Sequence, residues 1–277
     1  MYEALIFEGG GIKGMCYIGA LEELINKNLI DLSKIKYYGG TSAGSMVATL
    51  LASNHTISEM CDIMYNTNWG KLKDSNYFFI RNLYRLLYKF GYNKGKSIES
   101  LIDKFLFKKF GIKNITFEQM YLHTQNHLKM VGTNITKGGI IYMDHIHTPK
   151  MSVAKGVQIS SCVPFIFKPV SYNNDLYIDG GLIKNLDLDM FTEFEVHTLA
   201  LEISDFQNIN VKNLSTFGLK VFMLIYNEAN RIKNNNEKYL KILSIPEDKL
   251  ESFNFKLSKH DLDYLKLVGK NSVQSIL

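Results

Sequence analysis

The sequence predicts an α/β domain, a three-layer sandwich around a mostly parallel sheet with a helical C-terminal extension. Two observations carry this prediction. A short apolar stretch enters a glycine-rich loop and leaves as a helix at Tyr2 to Lys27, and the same unit returns at Ile35 to Ala52. Strand, loop and helix repeated in this way build parallel sheets. The second observation is bulk: 277 residues, 46% apolar and 21% charged with four prolines, suit one core of ordinary size. A single domain over 1–277 is expected, its motif-bearing core at about 4–205 and its helical part at about 206–277.

The elements follow in order. Tyr2 to Phe7 is a buried strand stopped by Gly9-Gly10-Gly11, and Met15 to Lys27 spaces Tyr17, Ile18, Leu21, Leu24 and Ile25 as one helical face. Ile35 to Tyr38 is the next strand and Ser45 to Ala52 the next helix. Thr116 and Gln119 form a capping box for a helix reaching about Lys129. Val131 to Asn134 and Ile140 to Ile146 then pair about a Lys137-Gly138-Gly139 turn, and another helix follows Pro149. Val170 to Tyr172 and Leu176 to Asp179 flank Asn173-Asn174 as a hairpin. Thr198 to Ile203 is a strand, and the remainder is read as helical, from Phe217 to Ile232 and from Ser258 to Gly269.

Composition narrows the function classes. Lys plus Arg total 32 against 27 Asp plus Glu, a net charge of +5, too mild to mark a nucleic-acid binder. The longest apolar run, Met46 to Ala52, is far short of the roughly 20 residues of a membrane span. The N-terminus lacks a basic start and apolar stretch, so no secretory signal is read there. Three scattered cysteines, Cys16, Cys61 and Cys162, show no CxxC spacing and fit a reducing, cytosolic setting.

Three glycine sites carry the chemistry. Gly40-Thr41-Ser42-Ala43-Gly44 is a GxSxG string between a strand and a helix, where a tight turn projects the serine hydroxyl and glycines remove clashing side chains. Gly9 to Gly14 reads GxGxxG, also between strand and helix. One reading of it is a dinucleotide loop, which calls for an acidic residue at the end of the following strand, but that strand ends in Gly39-Gly40. The other is an oxyanion hole, in which N–H groups without side chains stabilise negative charge at a helix start, and a serine nucleophile downstream favours it. Asp179-Gly180-Gly181 leaves a carboxylate at a strand terminus, where desolvation would make it a base for Ser42.

LIFEGGGIKG, GTSAG and DGG in this order, with QISSCVPFIFKPV between the second and third, resemble the patatin-like phospholipase family over residues 4 to 205. The resemblance implies a lipid acyl hydrolase with a Ser/Asp dyad in place of a triad and no cofactor. It makes Ser42 the nucleophile and Asp179 its base. Gly9, Gly10, Gly11, Ile12 and Gly14 become the oxyanion loop, with Lys13 in its basic position and Gly40, Gly44, Gly180 and Gly181 as supporting glycines. The sequence departs from the family after DGG: the usual proline two residues beyond the asparagine is replaced by Asp187, in Asn185-Leu186-Asp187.

Alternatives stay open at this point. Ser42, Asp179 and His260 follow the chain order of an α/β-hydrolase triad, but His260 sits in the first turn of the last helix. The remaining rivals are a nucleotide binder and a silent lipid-binding module. His123 and His127, four apart on a predicted helix, lack the glutamate of HExxH, and His145 and His147 lack a third ligand, so no metal is expected. Tyr65 to Lys96 carries seven basic residues against one acid and includes Trp69, with Ile80, Leu83, Tyr84, Leu87 and Tyr88 on one helical face. That segment is expected to meet a lipid surface.

Overall fold

A computed structural model describes residues 2–72, 91–204, 211, 217, 218, 220, 221, 224, 240–247, 249–250 and 255–276. The first two units are present as expected. Strand β1 (Ala4–Phe7) passes through a 3₁₀ turn at Gly11–Lys13 into α1 (Gly14–Asn26), and β2 (Tyr37–Gly40) passes through Ser42 into α2 (Ala43–Ala52). Then come α3 (Ile57–Asn66), β3 (Gly91–Asn93), α4 (Lys96–Phe110) and α5 (Phe117–Thr124). The chain continues through β4 (His127–Asn134), β5 (Gly139–Met143), α6 (Val153–Ser160), β6 (Phe165–Phe167) and the hairpin β7 (Val170–Tyr172) and β8 (Asp175–Asp179). It ends with β9 (Thr198–Ser204), β10 (Leu240–Pro246) and α7 (Lys259–Ser272).

Three expectations are corrected. The helix opened by the Thr116–Gln119 capping box stops at Thr124, because Gln125 takes the left-handed conformation and its N–H closes back on Tyr121. His127 therefore opens a strand, and His123 and His127 do not share a helix. The C-terminal part is not wholly helical: Leu240–Pro246 adds a parallel edge strand beside β9. The helix expected over 217–232 lies largely outside the described residues, as does the 73–90 part of the expected lipid-facing segment.

The main sheet runs β10-β9-β1-β2-β4-β8-β7, with β5 on the other edge of β4, and a two-stranded sheet pairs β3 with β6. Pairs from β10 to β4 are parallel, while β5, β8 and β7 are antiparallel to their neighbours. Alternation along β1 sends Leu5 and Phe7 into the large core under the helices, and Ala4 and Ile6 to the opposite face. That second face is covered by Leu186, Leu188, Met190, Phe191 and Phe194, a thin third layer.

Helices α1 and α7 cross backbone to backbone. A Cβ on Gly19 would stand 2.0 Å from the Lys266 carbonyl oxygen, and one on Gly269 would stand 1.9 Å from that of Cys16. Glycine is obligatory at this crossing, so the C-terminal helix is seated directly on the helix that follows the first glycine loop.

Candidate active site

Strand β4 brings the serine and the aspartate together. β2 pairs with its first half, Gly40 opposite Met130, and β8 with its second half, Asp179 opposite Gly132. Because β5 occupies the other edge, β2 and β8 lie on the same edge and run towards each other. Their C-terminal ends stop two residues apart on β4, about 7 Å along the strand. A parallel strand and an antiparallel strand thus deliver the residues that follow them to one point.

Ser42 sits on the turn after β2 with φ 52° and ψ −122°, backbone values that a non-glycine residue adopts only when its surroundings enforce them. Several contacts do so here. Its N–H donates to Ser160 Oγ at 3.0 Å, its carbonyl accepts from Ser45 Oγ at 2.6 Å, and Thr41 Oγ1 donates to the Lys184 carbonyl at 3.2 Å. The glycines of the pentapeptide allow close approach: a Cβ on Gly40 would lie 2.5 Å from Gly44 backbone, and one on Gly44 would lie 2.2 Å from the Phe7 carbonyl oxygen. Although Ser42 is the N-cap of α2, its hydroxyl makes no cap bond and is left available.

Asp179 is 3% exposed. Its N–H donates to the Cys162 carbonyl at 3.0 Å, and its own carbonyl accepts from Thr133 Oγ1 at 3.0 Å, so the backbone is fixed from two sides. Carboxylate Oδ1 accepts from the Gly181 N–H at 2.7 Å, while Oδ2 is buried with no partner in hydrogen-bond geometry. Burial pushes the carboxyl up to about 7, against the Gly181 N–H and the Ser42 side chain, which both pull it down. A carboxylate poised near neutrality is matched to proton transfer at physiological pH. Gly180 is tied to β4, since a Cβ there would meet the Val131 carbonyl oxygen at 2.5 Å.

The first glycine loop lies beside this pair, and its members divide. Gly11 has φ +60°, the left-handed region that favours glycine, whereas a Cβ on Gly14 would reach only ordinary contact with Val47 at 3.9 Å. The Gly9 N–H is engaged, donating to Asn185 Oδ1 at 3.1 Å. Lys13 is fully buried, its Nζ 2.7 Å from Glu247 Oε2 and donating to the Glu247 carbonyl at 3.0 Å. The basic position of the loop is therefore tied to the end of β10.

Gly11, Ile12, Gly14 and Ser42 open onto a single cleft of about 850 Å³, its mouth included. Its walls are apolar, among them Met46, Leu50, Met64, Ile102 and Phe105. Trp69 belongs to the same wall, its Nε1 donating to the Met64 carbonyl at 2.9 Å. The indole expected at a lipid surface thus lines the cleft. His260 is exposed on the first turn of α7, and His197 precedes β9 with its carbonyl accepting the Glu3 and Ala4 N–H groups, at the sheet end away from Ser42. No group of three or more metal-ligating side chains occurs among the described residues, and none of their helices is long and apolar enough to cross a membrane.

Sequence reasoning missed Ser160 and Glu247, whose partners lie 118 and 234 positions away with no local pattern to announce them. It marked Asn185 as the asparagine after DGG but not as the partner of Gly9, 176 positions away.

Fold and site together define a three-layer α/β protein with a serine turn, a glycine loop and a buried carboxylate at one end of its parallel strands. The chain belongs to the patatin-like phospholipase family, whose model matches residues 5–192. It is 31% identical over 281 residues to the uncharacterized protein R571 of Acanthamoeba polyphaga mimivirus, spanning 98% of this chain and 92% of that one. It is also 31% identical over 198 residues to the probable lipid hydrolase 463L of Invertebrate iridescent virus 6, spanning 70% and 64%. Among solved structures, VipD from Legionella pneumophila superposes with a TM-score of 0.65 at 17% identity, over 99% of this chain and 66% of that one. ExoU in its complex with SpcU from Pseudomonas aeruginosa gives 0.57 at 17% identity, and the chain spans 51% of it. These two likenesses concern the fold.

Proposed function

We propose that the protein hydrolyses carboxylic ester bonds of lipids through Ser42 and Asp179. One observation carries this reading: a strained serine turn and a glycine loop line an apolar cleft, and the buried Asp179 carboxyl is within reach of the Ser42 side chain. The acyl chain occupies the cleft, where each buried methylene contributes about 0.8 kcal/mol to binding. Asp179 takes the Ser42 proton as Oγ bonds to the ester carbonyl carbon, and the C=O electron pair moves onto oxygen to form an oxyanion. The N–H groups of Gly10, Gly11 and Ile12 stabilise that oxyanion; Gly9 takes no part because its N–H is engaged by Asn185. Collapse expels the alcohol, which takes the proton from Asp179, and water then releases the acid from the acyl-enzyme by the same route. The substrate is a phospholipid or other acylated lipid presented at an aggregate surface, with Trp69 in the wall of the cleft that takes its acyl chain.

The test is a fluorophosphonate probe with peptide mapping, alongside hydrolysis of a medium-chain ester. Wild type is expected to be labelled on Ser42 and to turn over, and Ser42→Ala to do neither. Hydrolysis by Ser42→Ala at the wild-type rate would refute the assignment.

A further inference from the structure

We infer that Asn185 and Glu8 are positioning residues that clamp the glycine loop and aim its N–H groups, an inference that rests on reading this loop as the oxyanion hole. Asn185 is 2% exposed, and its side chain pairs with both backbone polar groups of one residue. Its Oδ1 accepts from the Gly9 N–H at 3.1 Å, and its Nδ2 donates to the Gly9 carbonyl at 3.1 Å. The same Nδ2 donates to Glu8 Oε1 at 2.8 Å, which fixes the amide orientation, since a carboxylate accepts and the NH₂ group must face it. Glu8 is held in turn: its Oε2 accepts from the Ile203 N–H at 2.9 Å and its carbonyl from Tyr17 Oη at 2.7 Å.

The clamp explains the glycine at position 9. Gly9 is not among the positive-φ residues, so its dihedrals do not demand glycine. Space does: a Cβ there would stand 2.4 Å from Asn185 Oδ1 and 3.1 Å from Ser42 Cβ. Gly9 serves as the gripped residue, and the donors begin one residue later.

The clamp also ties the glycine loop to the serine turn. Lys184, the neighbour of Asn185, accepts at its carbonyl from Thr41 Oγ1 at 3.2 Å, so two adjacent residues after DGG hold both halves of the site. Asp187 anchors that segment, accepting from Tyr142 Oη at 2.6 Å and from Lys184 Nζ at 2.8 Å. At the place where the family commonly has proline, two charge-assisted hydrogen bonds supply the rigidity.

Donors aimed at a developing charge lose their value when misdirected, and one oxyanion donor is typically worth about 10²–10³ in kcat. In the full chain, Asn185→Ala is expected to lower kcat by about 10- to 100-fold with KM within about twofold. The measurement that a merely structural role would not move is affinity for an alkyl trifluoromethyl ketone, which Ser42 converts to an oxyanion adduct, against the matching methyl ketone. Asn185→Ala should lose affinity for the trifluoromethyl ketone by about the factor lost in kcat and keep its affinity for the methyl ketone. Asn185→Asp should be as poor, because it sets a carboxylate against Glu8, and Glu8→Gln in that background should restore part of the activity by supplying a donor. If Asn185→Ala does not fold, that rescue decides the matter. An unchanged preference for the trifluoromethyl ketone in folded Asn185→Ala, equal loss of affinity for both ketones, or no rescue by Glu8→Gln overturns the clamp alone. A wild type with no preference between the ketones overturns the oxyanion reading, and the clamp with it.

Discussion

Replacing Asp179 by asparagine should remove turnover and stabilise the protein, and the pH dependence of the second effect identifies the cause. The carboxyl is raised from an ordinary 3.8 to about 7, chiefly by burial. A carboxyl raised in the folded state favours folding while protonated, and that contribution is lost as pH rises from the unfolded value through the folded one. At 1.36 kcal/mol per unit, ionisation of Asp179 costs the folded protein about 2 kcal/mol at pH 5 and about 4 kcal/mol at pH 9. An asparagine at this position would carry no such cost. Urea unfolding of wild type and Asp179→Asn across this range should therefore show the gap in stability widening by about 2–3 kcal/mol from pH 5 to pH 9. Wild-type kcat should rise through an apparent pKa near 7, because only the ionised form accepts the serine proton. A stability gap independent of pH, or a kcat already maximal at pH 5, would show that Asp179 is not the perturbed base.

Two further outcomes follow from the same geometry. Lys13→Met leaves Glu247 buried without its 2.7 Å partner and should cost about 3–5 kcal/mol in urea unfolding, most of which Lys13→Met/Glu247→Leu recovers. Met64→Trp, which fills part of the cleft wall, should lower kcat/KM for long acyl esters relative to short ones by at least about tenfold, at about 0.8 kcal/mol per excluded methylene; equal effects on both chain lengths would show that the chain does not lie there.

The parts of the molecule legible in the sequence are those set by neighbouring residues. Both strand–loop–helix units, the Ser258–Asp261 capping box and the Asn173-Asn174 hairpin are local, and the two asparagines have the positive φ values such a turn needs. The helix overrun to Lys129 has a long-range cause. Lys129 reads as a surface residue, yet in β4 it is buried, its Nζ donating to the Met190 carbonyl at 2.9 Å and to Glu193 Oε1 at 2.7 Å. β10 was readable in principle: Ile242 is followed by the fully buried Leu243 and Ile245, with exposed Lys241 and Ser244 between strand and solvent. Its neighbours on either side obscured it. Within the site, the types of Ser42, Asp179 and the glycines mark their chemistry. The residues that place them do so through register on β4 and contacts across the chain, and neither is written in any short window.

The buried Lys13–Glu247 pair bears on how the chain is made. Glycine loop and serine turn leave the ribosome early, but the anion that neutralises Lys13 is encoded 234 positions later. At about 5–20 residues per second, roughly 10–50 s of synthesis separate the two. Through that interval the lysine keeps its hydration, and the loop it carries has no partner from β10 to close upon. The glycine loop is thus completed only after β10 has been made, so the nascent chain carries its motifs before their finished arrangement.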